Sequence, residues 1–126
     1  MRYLLDTHVA VWFVEGDRRL LKSVAETLSR ASAEPLVSYA SFWEIAVKRA
    51  LGKVRIDLEA FRDELVAQKI ALLPITLEHA MLAGDLDPHH RDPFDRMLIT
   101  QAKADSLTIV THDRQFEAYA VSTMWT

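Results

Sequence analysis

The stretch RDPFDRMLITQAKADSLTIVTHD, Arg91 to Asp113, sets Asp92 and Asp95 on either side of Pro93-Phe94 and brings in Asp113 behind a short apolar run. Asp6 closes the apolar opening RYLLD, and Glu44 stands between Trp43 and Ile45-Ala46-Val47. Each carboxylate has an ordinary structural use. Asp6 suits the cap of a helix beginning at Thr7, and Asp113 the cap of RQFEAY. Asp92 with Pro93 at N1 and Asp95 at N3 suits the positive end of a helix dipole. Glu44 precedes Lys48 by four residues, the favourable order for a surface ion pair of ~0.3–0.5 kcal/mol. The surroundings of Glu44 argue against a set of unrelated caps. Its helical turn is apolar, half-buried carboxylates need positive partners, and the bases nearby do not supply one for every acid. A divalent cation would neutralise the set. With oxygen ligands, no cysteine and no spaced histidine set, that cation would be Mg²⁺ or Mn²⁺ rather than zinc.

These residues meet only if the fold brings their segments to one edge. Leu4-Leu5, after Arg2-Tyr3, form a short strand ending at Asp6, and THVAVWFV follows at helical spacing with Val9, Trp12 and Phe13. DRRLLKSVAETLSRAS reads as a helix with Leu20, Leu21, Val24, Ala25 and Leu28 inward. PLVS, Pro35 to Ser38, is a second strand. It leads into the helix SYASFWEIAVKRALG, with Ser38 or Ser41 as cap, Gly52 at C′, and Lys48 and Arg49 near the negative end. Asp57 caps DLEAFRDELVAQKI, ALLPIT is a third strand, and Thr76 caps LEHAMLAG. After the turn-rich Asp87-Pro88-His89-His90, a helix runs from Pro93 to about Asp105. LTIV, Leu107 to Val110, is the fourth strand, DRQFEAY a short helix and VSTMW a last strand.

Short β-rich runs alternating with helices give a three-layer α/β fold, a central parallel sheet of four to five short strands with helices on both faces. Ligands of such sheets bind outside the carboxyl ends of the strands. Asp6 ends the first strand there, Asp113 follows the fourth, Asp95 opens the helix entering the fourth, and Glu44 lies in the first half of the helix leaving the second.

The 126 residues fit one domain, and a composition of 50% apolar and 26% charged residues is that of an ordinary globular chain. The opening has no apolar h-region, and no apolar run reaches the ~18 residues of a membrane span. With no cysteine, the expectation is a cytoplasmic protein without disulfides. A net charge of −3 excludes a broadly basic nucleic-acid binder, so any contact with RNA must come from a local patch.

LLDTHVAVWF at the start, SFWEIAVKRALGKV in the middle, and HRDPFDRMLITQA and IVTHDRQF near the end resemble the PIN-domain nucleases, and more closely the VapC-like toxins of bacterial and archaeal toxin–antitoxin pairs. The resemblance spans essentially the whole chain, residues 1–126, in the family's order and spacing. It implies a PIN-like fold and an Mg²⁺-dependent ribonuclease site, with Mn²⁺ as substitute. The family's acidic set falls on Asp6, Glu44, Asp95 and Asp113. Asp92 matches a further acidic position with a supporting or capping role, and Thr111 the hydroxyl residue preceding the last aspartate. The resemblance also implies an antitoxin that lays an amphipathic segment in a groove between helices. The same surface, or one near it, would serve a homodimer.

Phosphodiester hydrolysis needs a nucleophilic water, charge neutralisation on the phosphoryl oxygens and a stabilised leaving oxygen, all of which bound metal supplies. Asp6 and Asp95 are expected as the direct ligands, with Glu44 and Asp113 acting through water or on a second ion. KRALGKVR, Lys48 to Arg55, holds four bases and no acid. Lys48, one turn from Glu44, and Arg96 and Arg114, each following a proposed ligand, are the candidate phosphate contacts. The bland alternative for this stretch is a solvated helix end. His89 and His90 suggest a rim loop rather than a metal pair. Trp12, Phe13, Phe42 and Trp43 default to core packing, with interface as the alternative. Two other functions compete: a PIN-like interaction module without turnover, and a haloacid-dehalogenase-type phosphohydrolase. The latter wants an aspartate where His8 stands.

Overall fold

The computed structural model describes residues 1–89 and 92–126, so His90 and Arg91 of the expected rim loop lie outside the described residues. In chain order the elements are β1 (Arg2–Leu5), α1 (Thr7–Glu15), α2 (Lys22–Leu28), β2 (Glu34–Ser38), α3 (Tyr39–Ala50) and α4 (Leu58–Ala67). They continue with β3 (Ala71–Leu73), α5 (Leu77–Ala83), α6 (Pro93–Asp105), β4 (Thr108–Thr111), a 3₁₀ helix (Arg114–Ala118) and β5 (Thr123–Trp125). The strands form one parallel sheet in the order β3-β2-β1-β4-β5.

Alternation along the strands explains the three layers. Leu5, Val37 and Val110 point into one core with Val9 and Trp12 of α1, Val24 and Leu28 of α2, and Phe61 and Leu65 of α4. Their neighbours Leu4, Leu36 and Ile109 point into the other, with Leu98, Ile99 and Ala102 of α6 and Phe116 of the 3₁₀ helix. A strand with apolar residues at both parities must be covered on both faces, which is why these strands read as continuous apolar runs.

The strand order reverses at the centre of the sheet. From β1 the chain steps outward through β2 to β3, then returns to the other side of β1 for β4 and β5. The connections leaving β1 and β4 therefore diverge, opening a crevice at their carboxyl ends. Asp6 sits at its mouth, its backbone N–H bonded to the Val110 carbonyl at 3.0 Å.

Most expected elements are present, with local corrections. The helix expected over 17–32 contracts to α2. The Asp17 carboxylate takes the Arg19 N–H at 2.9 Å and its guanidinium at 2.7 Å, fixing a turn before the helix. Leu20, Val24 and Leu28 face inward as expected, but Leu21 is exposed. The third strand stops at Leu73, before Pro74, which has no N–H for a ladder. DRQFEAY folds as the 3₁₀ helix rather than an α-helix, and the fourth strand runs one residue later than expected. The expected caps Ser38, Asp57 and Thr76 each accept an N–H of the following turn, and Gly52 takes positive φ beyond α3.

His79 gives α5 more than an ordinary cap. Thr76 Oγ1 accepts the His79 N–H at 3.1 Å, and His79 Nδ1 accepts the Thr76 N–H at 3.1 Å. That fixes the proton on Nε2, which donates to Asp105 Oδ2 at 3.1 Å and pins α5 to the end of α6. Because α6 carries Asp95 and is capped by Asp92, this buried ring belongs to the scaffold of the crevice. His79→Ala is expected to lower unfolding free energy by about 2–4 kcal/mol, from lost packing and an unsatisfied N–H. Urea denaturation measures it, and a loss under about 0.5 kcal/mol, the scale of an ordinary surface change, would deny the ring this role.

Candidate metal centre

Asp6 follows β1 and caps α1, as its position predicts. Its Oδ1 accepts the Thr7 N–H at 2.7 Å, and its Oδ2 accepts the Thr111 hydroxyl at 2.7 Å. Thr111 ends β4 and is fully buried, and its Oγ1 in turn accepts the Asp113 N–H at 3.0 Å. One hydroxyl thus ties the Asp6 carboxylate to the backbone at Asp113. Asp113 caps the 3₁₀ helix by accepting the Gln115 N–H at 2.9 Å. Asp92 caps α6 with Oδ1, which accepts the N–H groups of Phe94 at 2.8 Å and Asp95 at 3.2 Å.

Glu44 reaches the same crevice from α3. Its side chain is only 5% exposed, which removes the surface-pair reading of its contact with Lys48. Oε2 accepts from Lys48 Nζ at 2.6 Å, and Oε1 lies 2.7 Å from the Thr7 hydroxyl, itself 2.8 Å from Ser41 Oγ. Trp43 meets Phe94 edge-on with centroids 4.6 Å apart, docking the turn of α3 before Glu44 against the first turn of α6 before Asp95.

The caps do not exhaust these groups, because their charges act on one another. Burial pushes the Asp95 carboxyl up to about 8, with Asp6, Asp92, Glu44 and Asp113 adding like-charge repulsion. Burial also raises Asp6, against the lowering effect of its bonds from Thr111 and Thr7, and Glu44 again adds repulsion. Lys48 is a cation set into the cluster. Its ammonium is raised above the ordinary lysine value by Glu44 first, and further by Asp92 and Asp95.

Among the described residues, no three histidine, aspartate or glutamate side chains are drawn close enough to form a finished coordination shell. The donor chemistry nevertheless fits a hard divalent cation: the chain has no cysteine, and carboxylate oxygens from four separate segments repel one another at one strand edge.

The candidate phosphate contacts divide. Lys48 is in the crevice with its side chain 35% exposed. Arg114 is at the rim, stacked over Trp125 at 4.1 Å and paired with Glu117 at 2.9 Å. Arg96 is turned to structure, donating to the carbonyls of Ala83, Leu86 and Asp87 and so closing the segment after α5. Of the aromatics, Trp12 is buried, Phe42 packs on Phe61, and Trp43 is half exposed.

The sequence reading gave two positions no part in the site. Thr7 and Ser41 form the hydroxyl bridge on Glu44, and the available signal was the three-residue spacing of Ser41 and Glu44 on one helix face.

The chain belongs to the PIN-domain family, whose family model matches residues 3–122. No curated protein sequence matches it. Its fold is similar to that of a chain of VapBC2 from Rickettsia felis bound to a promoter DNA fragment, with TM-score 0.73, 16% identity and coverage of 99% of this chain and 98% of that one. It is also similar to chains of DNA-bound VapBC from Salmonella typhimurium (TM-score 0.71, 16% identity, 99% and 98% covered) and of VapBC-1 from nontypeable Haemophilus influenzae (0.71, 18%, 98% and 97%).

The raised Asp95 has a consequence for stability. With a folded value of about 8 against an ordinary aspartate value of 3.8, the folded state binds the proton more tightly, so metal-free stability falls as pH rises through that interval. Melting temperatures in EDTA should decline from mildly acidic to mildly alkaline pH, and Asp95→Asn should flatten the decline. A wild-type profile already flat over that interval would contradict the assignment.

Proposed function

We propose that the protein is a metal-dependent endoribonuclease, the toxin of a toxin–antitoxin pair, and that residues 1–126 act as one PIN unit with Asp6, Glu44, Asp95 and Asp113 as its catalytic and metal-holding set. The observation that carries this reading is the charge convergence at the strand-order reversal, where Asp95 is lifted to about 8 beside Asp6, Asp92, Glu44 and Asp113. Membership of the PIN family and folds similar to VapBC chains support it.

In this reading the four carboxylates hold Mg²⁺, or Mn²⁺ in its place, which when bound supplies an activated water and neutralises the phosphoryl oxygens. Thr7 and Thr111 hold the Glu44 and Asp6 carboxylates in fixed orientations, and Asp92 fixes the first turn of α6 and with it Asp95. Lys48 neutralises Glu44 until substrate arrives and then lies beside the scissile phosphate. Arg114 meets the RNA backbone at the rim, whereas Arg96 acts as a positioning residue for the α5–α6 segment.

A cognate antitoxin is the protein partner, as the VapBC complexes among the similar structures suggest, and a second copy of the chain is a further one. Tyr39, Trp43, Val47 and Leu51 expose a stripe along α3 that suits such contacts. No helix among the described residues is long and apolar enough to cross a membrane. The proposed setting is the cytoplasm, where substrate RNA is found.

Purified protein is expected to cleave single-stranded RNA with Mg²⁺ or Mn²⁺, to stop in EDTA, and to resume when the ion is restored. Asp6→Asn should abolish cleavage. Undiminished cleavage in EDTA would refute the metal reading. Turnover of a phosphomonoester with none of RNA would point to the phosphohydrolase, and neither activity to a silent binding module.

A further inference from the structure

Beside the carboxylates lies a ring cluster that metal chemistry does not use. His8, on the first turn of α1, stacks on Trp12 with centroids 6.1 Å apart and planes inclined by 29°. His112, between Thr111 and Asp113, meets Trp12 at 4.8 Å and His8 edge-on at 5.7 Å. The Arg19 guanidinium closes another side of Trp12 at 5.1 Å, held there by its bonds to Asp17. Trp12 is buried and both imidazoles are exposed, so one anchored indole supports two rings open to solvent.

We propose that His8 and His112 form a stacking platform for the nucleobase next to the phosphate at the carboxylate site. This rests on the ribonuclease reading above. His8 stands two residues beyond Asp6 and His112 immediately before Asp113, so both rings border the crevice within about one nucleotide of the proposed ligands. A chain of net charge −3 with carboxylates at its centre repels a polyanion, which limits what phosphate contacts can contribute. Stacking is attraction independent of that charge, and it requires a base already free of a duplex. Each imidazole, backed by Trp12, offers a ring face for it, the two rings standing edge-on to one another with a guanidinium at the margin.

The test uses a single-stranded oligoribonucleotide cleaved by the wild-type protein with Mn²⁺, remade with an abasic residue at each position in turn. At one position beside the cleaved bond, loss of the base should slow wild-type cleavage about tenfold. The variant carrying His8→Ala and His112→Ala should cleave the intact strand about tenfold more slowly, with no added penalty for the abasic strand. Phenylalanine at both positions should restore rate and penalty together, which a histidine acting as ligand or proton carrier would not allow. Both histidines are exposed, so the variants should melt like wild type. An abasic penalty equal in wild type and the alanine variant overturns the platform, as does its absence at every position, the result expected if the rings serve a protein partner. A wild-type protein that cleaves no RNA in Mg²⁺ or Mn²⁺ overturns the ribonuclease reading, and the platform with it.

Discussion

Negative charge gathered in a half-buried crevice is the constraint on which the rest of this molecule depends. Asp6, Glu44, Asp95 and Asp113 reach one edge of the sheet from four segments, and Lys48 is a base set among them. Burial and mutual repulsion raise Asp95 and Asp6, so in the metal-free protein the cluster opposes its own folding. Such an arrangement persists only if the surrounding packing holds it. Two apolar cores clamp the sheet between helices, Trp43 against Phe94 joins α3 to α6, and His79 pins α5 to the far end of α6.

In the proposed reading, capping and metal binding are two uses of one geometry. A helix N-terminus orients a carboxylate with some of its lone pairs and leaves the others available. Asp6 accepts from Thr7 and Thr111, Asp92 from Phe94 and Asp95, and Asp113 from Gln115, and each bond fixes a direction without removing the charge. The caps thereby preorganise the oxygens, and the remaining unfavourable energy is repulsion that a divalent cation would relieve. Thr111 links two of these directions, since its hydroxyl donates to Asp6 and accepts from the Asp113 N–H.

The layered fold was legible in the sequence because Leu4-Leu5, Leu36-Val37 and Ile109-Val110 are apolar at both parities, and because Ser38, Asp57, Thr76 and Asp92 announce their helices. The overlong reading of α2 came from taking apolar spacing as sufficient. The Asp17–Arg19 bond competes locally for the backbone, and periodicity does not register it. At the site, the four carboxylates at the strand ends could be grouped from chain order and fold class, and the family resemblance pointed to the same four. Side-chain direction was not visible. Glu44 with Lys48 reads as a surface pair by spacing alone, and only the packing of α3 against α6 makes it a buried one. Arg96 follows Asp95 in sequence yet points to the carbonyls after α5, since adjacent positions on a helix diverge by about 100°. The ring cluster of His8, Trp12 and His112 joins residues about a hundred positions apart, a contact that exists only once β1 and β4 are neighbours.

Calorimetric titration of Mn²⁺ into metal-free protein near neutral pH, repeated in buffers of different ionisation enthalpy, tests the convergence most directly. The account predicts saturable binding accompanied by proton release, because the cation displaces the proton held by Asp95, and loss of both heat and proton release in Asp6→Asn and Asp95→Asn. Equal binding by the wild type and both variants would contradict it, as would binding with no proton released.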